Sequence, residues 1–259
     1  MKSFLKNKQF GQGIRKAAIL TAAIASFGFT SASWAINIEL NYQGPVNPYK
    51  SGNITTPLSG GVGAGEFKFK VLSGGGEEWN DSLQAFCIDI NHWLVTGQNV
   101  TYDIAPANLT DLQLSQVSWL FDNHLSDLGT SENDAAFQLT LWEIFFETEN
   151  SRNLSAGVFQ ATTDFDGARN LANSWLVGSD EKPGIASIPN DYVSDTWEFY
   201  KLTPVNPTNN QALLTWREKD PVPPAEVSEP GTLLLLSIGL GGIFFGIRRR
   251  NGLQFASLA

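Results

Sequence analysis

An α+β fold is predicted, β-rich and sandwich- or barrel-like, with helices inserted between strands. Three observations lead to it. The segment from about residue 36 to 110 alternates apolar and polar residues between glycine-rich turns; the next 70 residues switch to helical periodicity; strand patterns then return before a proline-rich stretch.

The first strands are the clearest. In "GEFKFKVLS", Phe67 and Phe69 alternate with Lys68 and Lys70, as in a strand with one buried face. "AINIELNY" alternates near its start, and "LSGGVGAGE" and "SGGGEE" supply turns. "LQAFCIDI" is apolar on both faces, which suits a central strand, and "VTYDIAP" is a further short strand.

Three helices are predicted next. Thr110 and Gln113 have capping-box spacing, followed by Leu114, Val117, Leu120, Phe121 and Leu125 at helical intervals. "SENDAAFQLTLWEIFFETEN" is the second helix, with Ser131 and Asp134 as its candidate box, and "DFDGARNLANSWLVG" is the third. The strands "TWEFYKLTP" and "QALLTWRE" close the domain.

Both ends carry addresses. Lys2, Lys6, Lys8, Arg15 and Lys16 precede an apolar run from Ala17 to Phe29, and Ser33-Trp34-Ala35 offers small residues for cleavage, so residues 1–35 read as a secretory signal peptide. At the other end the expected order is a proline-rich linker and sorting motif at 221–230, a single transmembrane helix at 231–247 and a basic cytoplasmic tail at 248–259. The exported domain is then 36–220. All 26 acidic residues of the chain fall between residues 36 and 229, against nine of its 17 basic ones, a formal charge of −17. Such a surface argues against nucleic acid as a partner.

Ser228-Glu229-Pro230, the apolar stretch and Arg248-Arg249-Arg250 together resemble the PEP-CTERM sorting signal. Ser228 stands where that signal usually has proline, and nine residues follow the arginines. The resemblance implies a Gram-negative inner membrane before processing, an exosortase-type enzyme as processing partner, and the cell surface or extracellular matrix afterwards.

The chemistry centres on Cys87, the single cysteine of the chain. Exported cysteines usually pair. An unpaired one is an inert buried residue, an interchain link, or a reactive group. Gln138, Leu141, Trp142 and Phe145 fall at i, i+3, i+4 and i+7, which places Gln138 on an otherwise apolar helix face. A buried amide without partners costs about 1–3 kcal/mol, so Gln138 must be satisfied or consumed. A thiol can consume it: attack on the side-chain carbonyl expels ammonia and leaves a thioester.

Phe86-Cys87-Ile88-Asp89 and Gln138-Xaa-Xaa-Leu141-Trp142 resemble the two motifs of the thioester domains of bacterial surface adhesins, with Phe137 in place of that family's threonine. The resemblance spans roughly residues 60–215 as an order of elements. It implies a Cys87–Gln138 thioester, with Phe86, Asp89 and Trp142 in support, that captures an amine or hydroxyl of a surface protein or polysaccharide. The alternative is a structural matrix protein or noncovalent binding module with an inert cysteine. A glycan hydrolase needs two carboxylates across a groove, which sequence cannot place.

Other groups read as structural. Asp89, two residues beyond Cys87, leans to the same strand face. His92 and His124 make no zinc pattern with one cysteine, and no metal or cofactor is expected. Asp164-Phe165-Asp166-Gly167 fits a helix N-cap better than a calcium loop. Glu143, Glu147 and Glu149 read as the solvated end of the glutamine helix. No nucleophile elbow, phosphate loop or dinucleotide fingerprint is found, so a turnover enzyme is not expected.

Overall fold

A computed structural model describes residues 36–55, 59–148, 152–179 and 182–221. The signal peptide, the sorting residues Ser228, Glu229, Pro230, Arg248, Arg249 and Arg250, and the apolar stretch 231–247 lie outside the described residues. Among the described residues no helix is long and apolar enough to cross a membrane.

Six strands close into an antiparallel barrel: β1 (Ile36–Pro45), β4 (Phe67–Ser73), β5 (Ser82–Cys87), β9 (Leu213–Glu218), β8 (Trp197–Asn206) and β6 (Asn99–Pro106), with β6 pairing back onto β1. The barrel form of the predicted fold class is therefore the one adopted. Closure leaves no exposed edge among these strands. Period-2 patterning is borne out: Ile38 and Leu40 on β1, Phe67, Phe69 and Val71 on β4, and Val100, Tyr102 and Ile104 on β6 are buried, while Lys68 and Lys70 are exposed. A smaller sheet runs β3 (Gly60–Ala64), β2 (Lys50–Thr55), β7 (Gln160–Ala161).

The helical insertion lies between β6 and β8. Helix α1 (Asp111–His124) starts at the expected capping box: Thr110 Oγ1 accepts from Gln113 N, and Gln113 Oε1 accepts from Thr110 N. Helix α2 (Ser131–Phe146) is capped one residue earlier than predicted, because Thr130 Oγ1 takes the Asn133 N–H. Asp134 instead accepts from Gly129 N and Asn47 Nδ2. The single apolar face expected for α2 is also too narrow a description: every residue from Asp134 to Ile144 is buried. Helix α2 is enclosed on all sides, packing on α1 and α3 (Gly167–Val177) as well as on β2, β3 and β5.

The aspartates before α3 are not side-chain caps. Asp166 occupies the cap position at φ 51 without a side-chain cap bond, and Asp164 Oδ2 accepts from Asn53 Nδ2 and Thr162 Oγ1. The acidic end of α2 is corrected too. Glu143 is fully enclosed and Glu147 nearly so, while Glu149 lies outside the described residues. Glu143 Oε1 accepts from Asn153 N, and Glu147 Oε2 accepts from Val158 N and Phe159 N. Arg152 donates to the Glu143 carbonyl and to Gln116 Oε1. These carboxylates tie the 152–159 segment onto the helix rather than facing water.

Candidate functional site

Cys87 is the last residue of β5 and is fully buried. On one side β5 still pairs with β9, in the registers Phe86↔Leu214 and Cys87↔Leu213. On the other side its pairing with β4 ends at Phe67↔Ala85. The Cys87 N–H and C=O on that side need partners, because buried backbone groups are almost always paired. Gln138 provides both. Cys87 N donates to Gln138 Oε1 at 2.9 Å, and Gln138 Nε2 donates to the Cys87 carbonyl at 2.8 Å. The carboxamide thus occupies the place of the missing strand residue, and the two residues singled out in the sequence, 51 positions apart, are brought together.

The thiol points into a polar corner. Sγ donates to the Asp89 carbonyl at 3.3 Å and accepts from Asp89 N at 3.4 Å. Burial pushes the thiol up to about 12; the Asp89 backbone and the Trp142 indole N–H pull it down, and the Asp89 charge pushes it up. Trp142 Nε1 is buried and completes no hydrogen bond among the described residues.

The supporting residues divide by role. Asp89 meets the thiol through its backbone, and its side chain does not share the cysteine face as its spacing suggested: β5 stops at Cys87, and the Asp89 carboxylate turns to Asn91 N and His92 Nδ1, 3.0 and 2.7 Å away. Phe86 faces the helices, stacked on Phe137 at 4.7 Å and on Trp216 at 5.6 Å. Phe137, at the position before Gln138, is therefore a packing partner for Phe86.

A pocket of about 460 Å³ opens onto Cys87, lined among others by Tyr42, Tyr49, Phe67, Trp93 and Trp142. Tyr42 and Tyr49 join hydroxyl to hydroxyl, and burial raises both above the usual phenol range. Buried Gln211 also lines the pocket; its Oε1 has no partner among the described residues, while its Nε2 donates to the His92 carbonyl at 3.0 Å. Tyr42, Tyr49, Trp93 and Gln211 escaped the sequence reading, since each sits beside a strand or turn where an aromatic or amide carries no motif. Among the described residues no group of three or more His, Cys, Asp or Glu is placed to hold a metal ion.

No curated protein and no solved structure matches this chain at a significant level. Residues 226–250 match the model of the PEP-CTERM protein-sorting motif, which identifies the chain as carrying an exosortase sorting signal and marks it for export and membrane-associated sorting.

Proposed function

We propose that the exported domain attaches itself covalently to its target through an internal thioester between Cys87 and Gln138, at the cell surface or in the extracellular matrix once the sorting signal has been processed. The observation that carries this reading is the bracketing of the Cys87 backbone by the Gln138 carboxamide, directly behind a pocket whose wall includes Cys87.

In the first step the thiol adds to the Gln138 carbonyl carbon. The C–N bond breaks, and the sulfur's proton leaves with the amide nitrogen as ammonia. The Cys87 N–H already sits on Oε1, where the oxyanion develops. A thiol held near 12 is protonated at neutral pH, so its proton moves with the attack rather than ahead of it. In the second step an amine or hydroxyl of the target adds to the thioester carbonyl, the C–S bond breaks, and the sulfur takes back a proton from the nucleophile. Each molecule reacts once, so the protein is not a turnover enzyme.

The complete pairing of the Gln138 amide favours a second reading: a noncovalent binding module or structural matrix protein in which Gln138 only ties α2 to β5. Intact mass before and after methylamine separates the two. The thioester reading expects a mass short by one ammonia, then gain of methylamine, both lost in Cys87→Ala and Gln138→Ala. A full mass with one titratable thiol and no methylamine adduct rejects it.

A further inference from the structure

Trp93 is the most exposed of the large hydrophobic residues described, at 68%. An exposed indole is unremarkable on a loose loop, but this loop is held on both sides. Gln211 Nε2 donates to the carbonyl of His92, and Asn210 Oδ1 accepts from Val95 N at 2.7 Å. Asn210 and Gln211 are themselves buried, and Asn210 Nδ2 is anchored on the Tyr102 hydroxyl at 2.7 Å. Two buried amides thus hold an indole out in water, which a merely structural tryptophan does not need.

The surface beside Trp93 carries few large side chains. It is the solvent face of the β2–β3 pair, where Ser51 lies opposite Gly63 and Asn53 opposite Gly61. Gly61 has no positive φ, and a Cβ there meets only Asn53 Oδ1 at 3.6 Å, whereas one at Gly63 meets the Tyr49 ring at 3.2 Å. The fold does not demand glycine at Gly61, and glycine in a strand also marks where a ligand comes close to the backbone. Asp164 also lines the depression. Its Oδ2 accepts from Asn53 and Thr162, and its Oδ1 has no hydrogen bond among the described residues. Ser51, Gly61, Val62, Gly63 and Trp93 line both this depression and the Cys87 pocket, so the two are continuous.

An aromatic ring over a polar floor matches a pyranose ring, which presents an apolar face to the indole and hydroxyls to Asp164, Asn53 and Ser51. A peptide strand fits less well, because the paired glycines with Ser51 and Asn53 give little relief for alternate side chains to key into. The strongly acidic exported part repels anionic polymers. We propose that Trp93, Asn53 and Asp164 form a subsite for a neutral polysaccharide, which lays a sugar hydroxyl toward the Cys87 pocket. This names the acceptor for the thioester reading and rests on it for the covalent step, while the subsite itself binds without that step.

The test uses the exported protein carrying Cys87→Ser, in which no thioester forms, in affinity electrophoresis through gels containing laminarin, soluble starch or galactomannan. Retardation by at least one of these is expected. Trp93→Ala is expected to weaken it by about tenfold or more, as for a central aromatic contact, with Trp93→Phe retaining most of it and Asp164→Ala reducing it. Trp93 is exposed, so these variants keep the fold, checked by an unchanged melting temperature. Migration unaffected by all three glycans, or retardation that Trp93→Ala leaves intact, overturns the subsite. So does Trp93-dependent binding to a lysine-rich peptide without glycan binding, which assigns the surface to a protein partner. Methylamine labelling of the wild type is scored separately, so failure of the thioester is distinguished from failure of the subsite.

Discussion

The Gln138 carboxamide replaces a strand partner for Cys87, its Oε1 2.9 Å from the cysteine nitrogen and its Nε2 2.8 Å from the cysteine carbonyl oxygen. The bonded groups belong to the backbone of residue 87, so the pairing survives any side chain there. Gln138→Ala leaves a buried N–H and C=O unpaired and is expected to cost about 2–5 kcal/mol. Cys87→Ser and Cys87→Ala keep both bonds and are expected to cost under about 2 kcal/mol. Urea unfolding of the three variants checks the order. Equal losses from Gln138→Ala and Cys87→Ala contradict the pairing as the main role of the amide.

Trp142 bears on the thiol and not on the backbone. Its indole N–H lowers the thiol from an otherwise higher value. Trp142→Phe keeps most of the packing and removes the donor. On the thioester reading, the fraction of protein lacking one ammonia is expected to accumulate several-fold more slowly after refolding, with the final fold unchanged by circular dichroism. The readout is intact mass against time. A time course identical to wild type removes Trp142 from the chemistry and leaves it as a wall of the pocket.

The order of elements was legible because each rests on a local pattern. Phe67 and Phe69 alternate with lysines along β4, and Thr110 with Gln113 caps α1. Cys87 and Gln138 stood out in the sequence as a single thiol and an amide on an apolar face; in the structure the amide meets the Cys87 backbone, while the thiol turns to the Asp89 backbone. What Gln138 does there was not legible, because its partner is backbone freed by the end of the β4–β5 ladder, a fact of register. Glu143 and Glu147 misled for a related reason. A charge run at a helix end reads as solvated unless a later segment folds over it, and the sequence does not show that Arg152 and residues 153–159 do so.

The sorting signal makes an expectation independent of the pocket. Residues 226–250 match the motif, and Glu229-Pro230 falls within the match. Glu229→Ala with Pro230→Ala is expected to block processing, leaving a full-length form in the membrane fraction in an exosortase-bearing host. Deletion of 226–250 is expected to release the protein from that fraction. Immunoblots of fractionated cells read both. Normal processing of the double variant counts against recognition through those residues.

Glu143 gives the domain a pH signature. Burial raises its carboxyl to about 7, with the Asn153 N–H and Arg152 pulling down and Glu147 pushing up. One oxygen, Oε2, has no partner among the described residues. A carboxyl raised in the folded state binds its proton more tightly there than in the unfolded chain, whose value is near 4.5. Its contribution is therefore most favourable below about 4.5 and is lost as pH rises through about 7. Glu143→Gln keeps an acceptor for Asn153 N and cannot ionise. Relative to wild type, the variant is expected to gain about 2 kcal/mol between pH 5 and pH 8. Urea midpoints at the two pH values measure that double difference. A difference near zero means that Glu143 ionises without penalty and that water or a cation reaches Oε2.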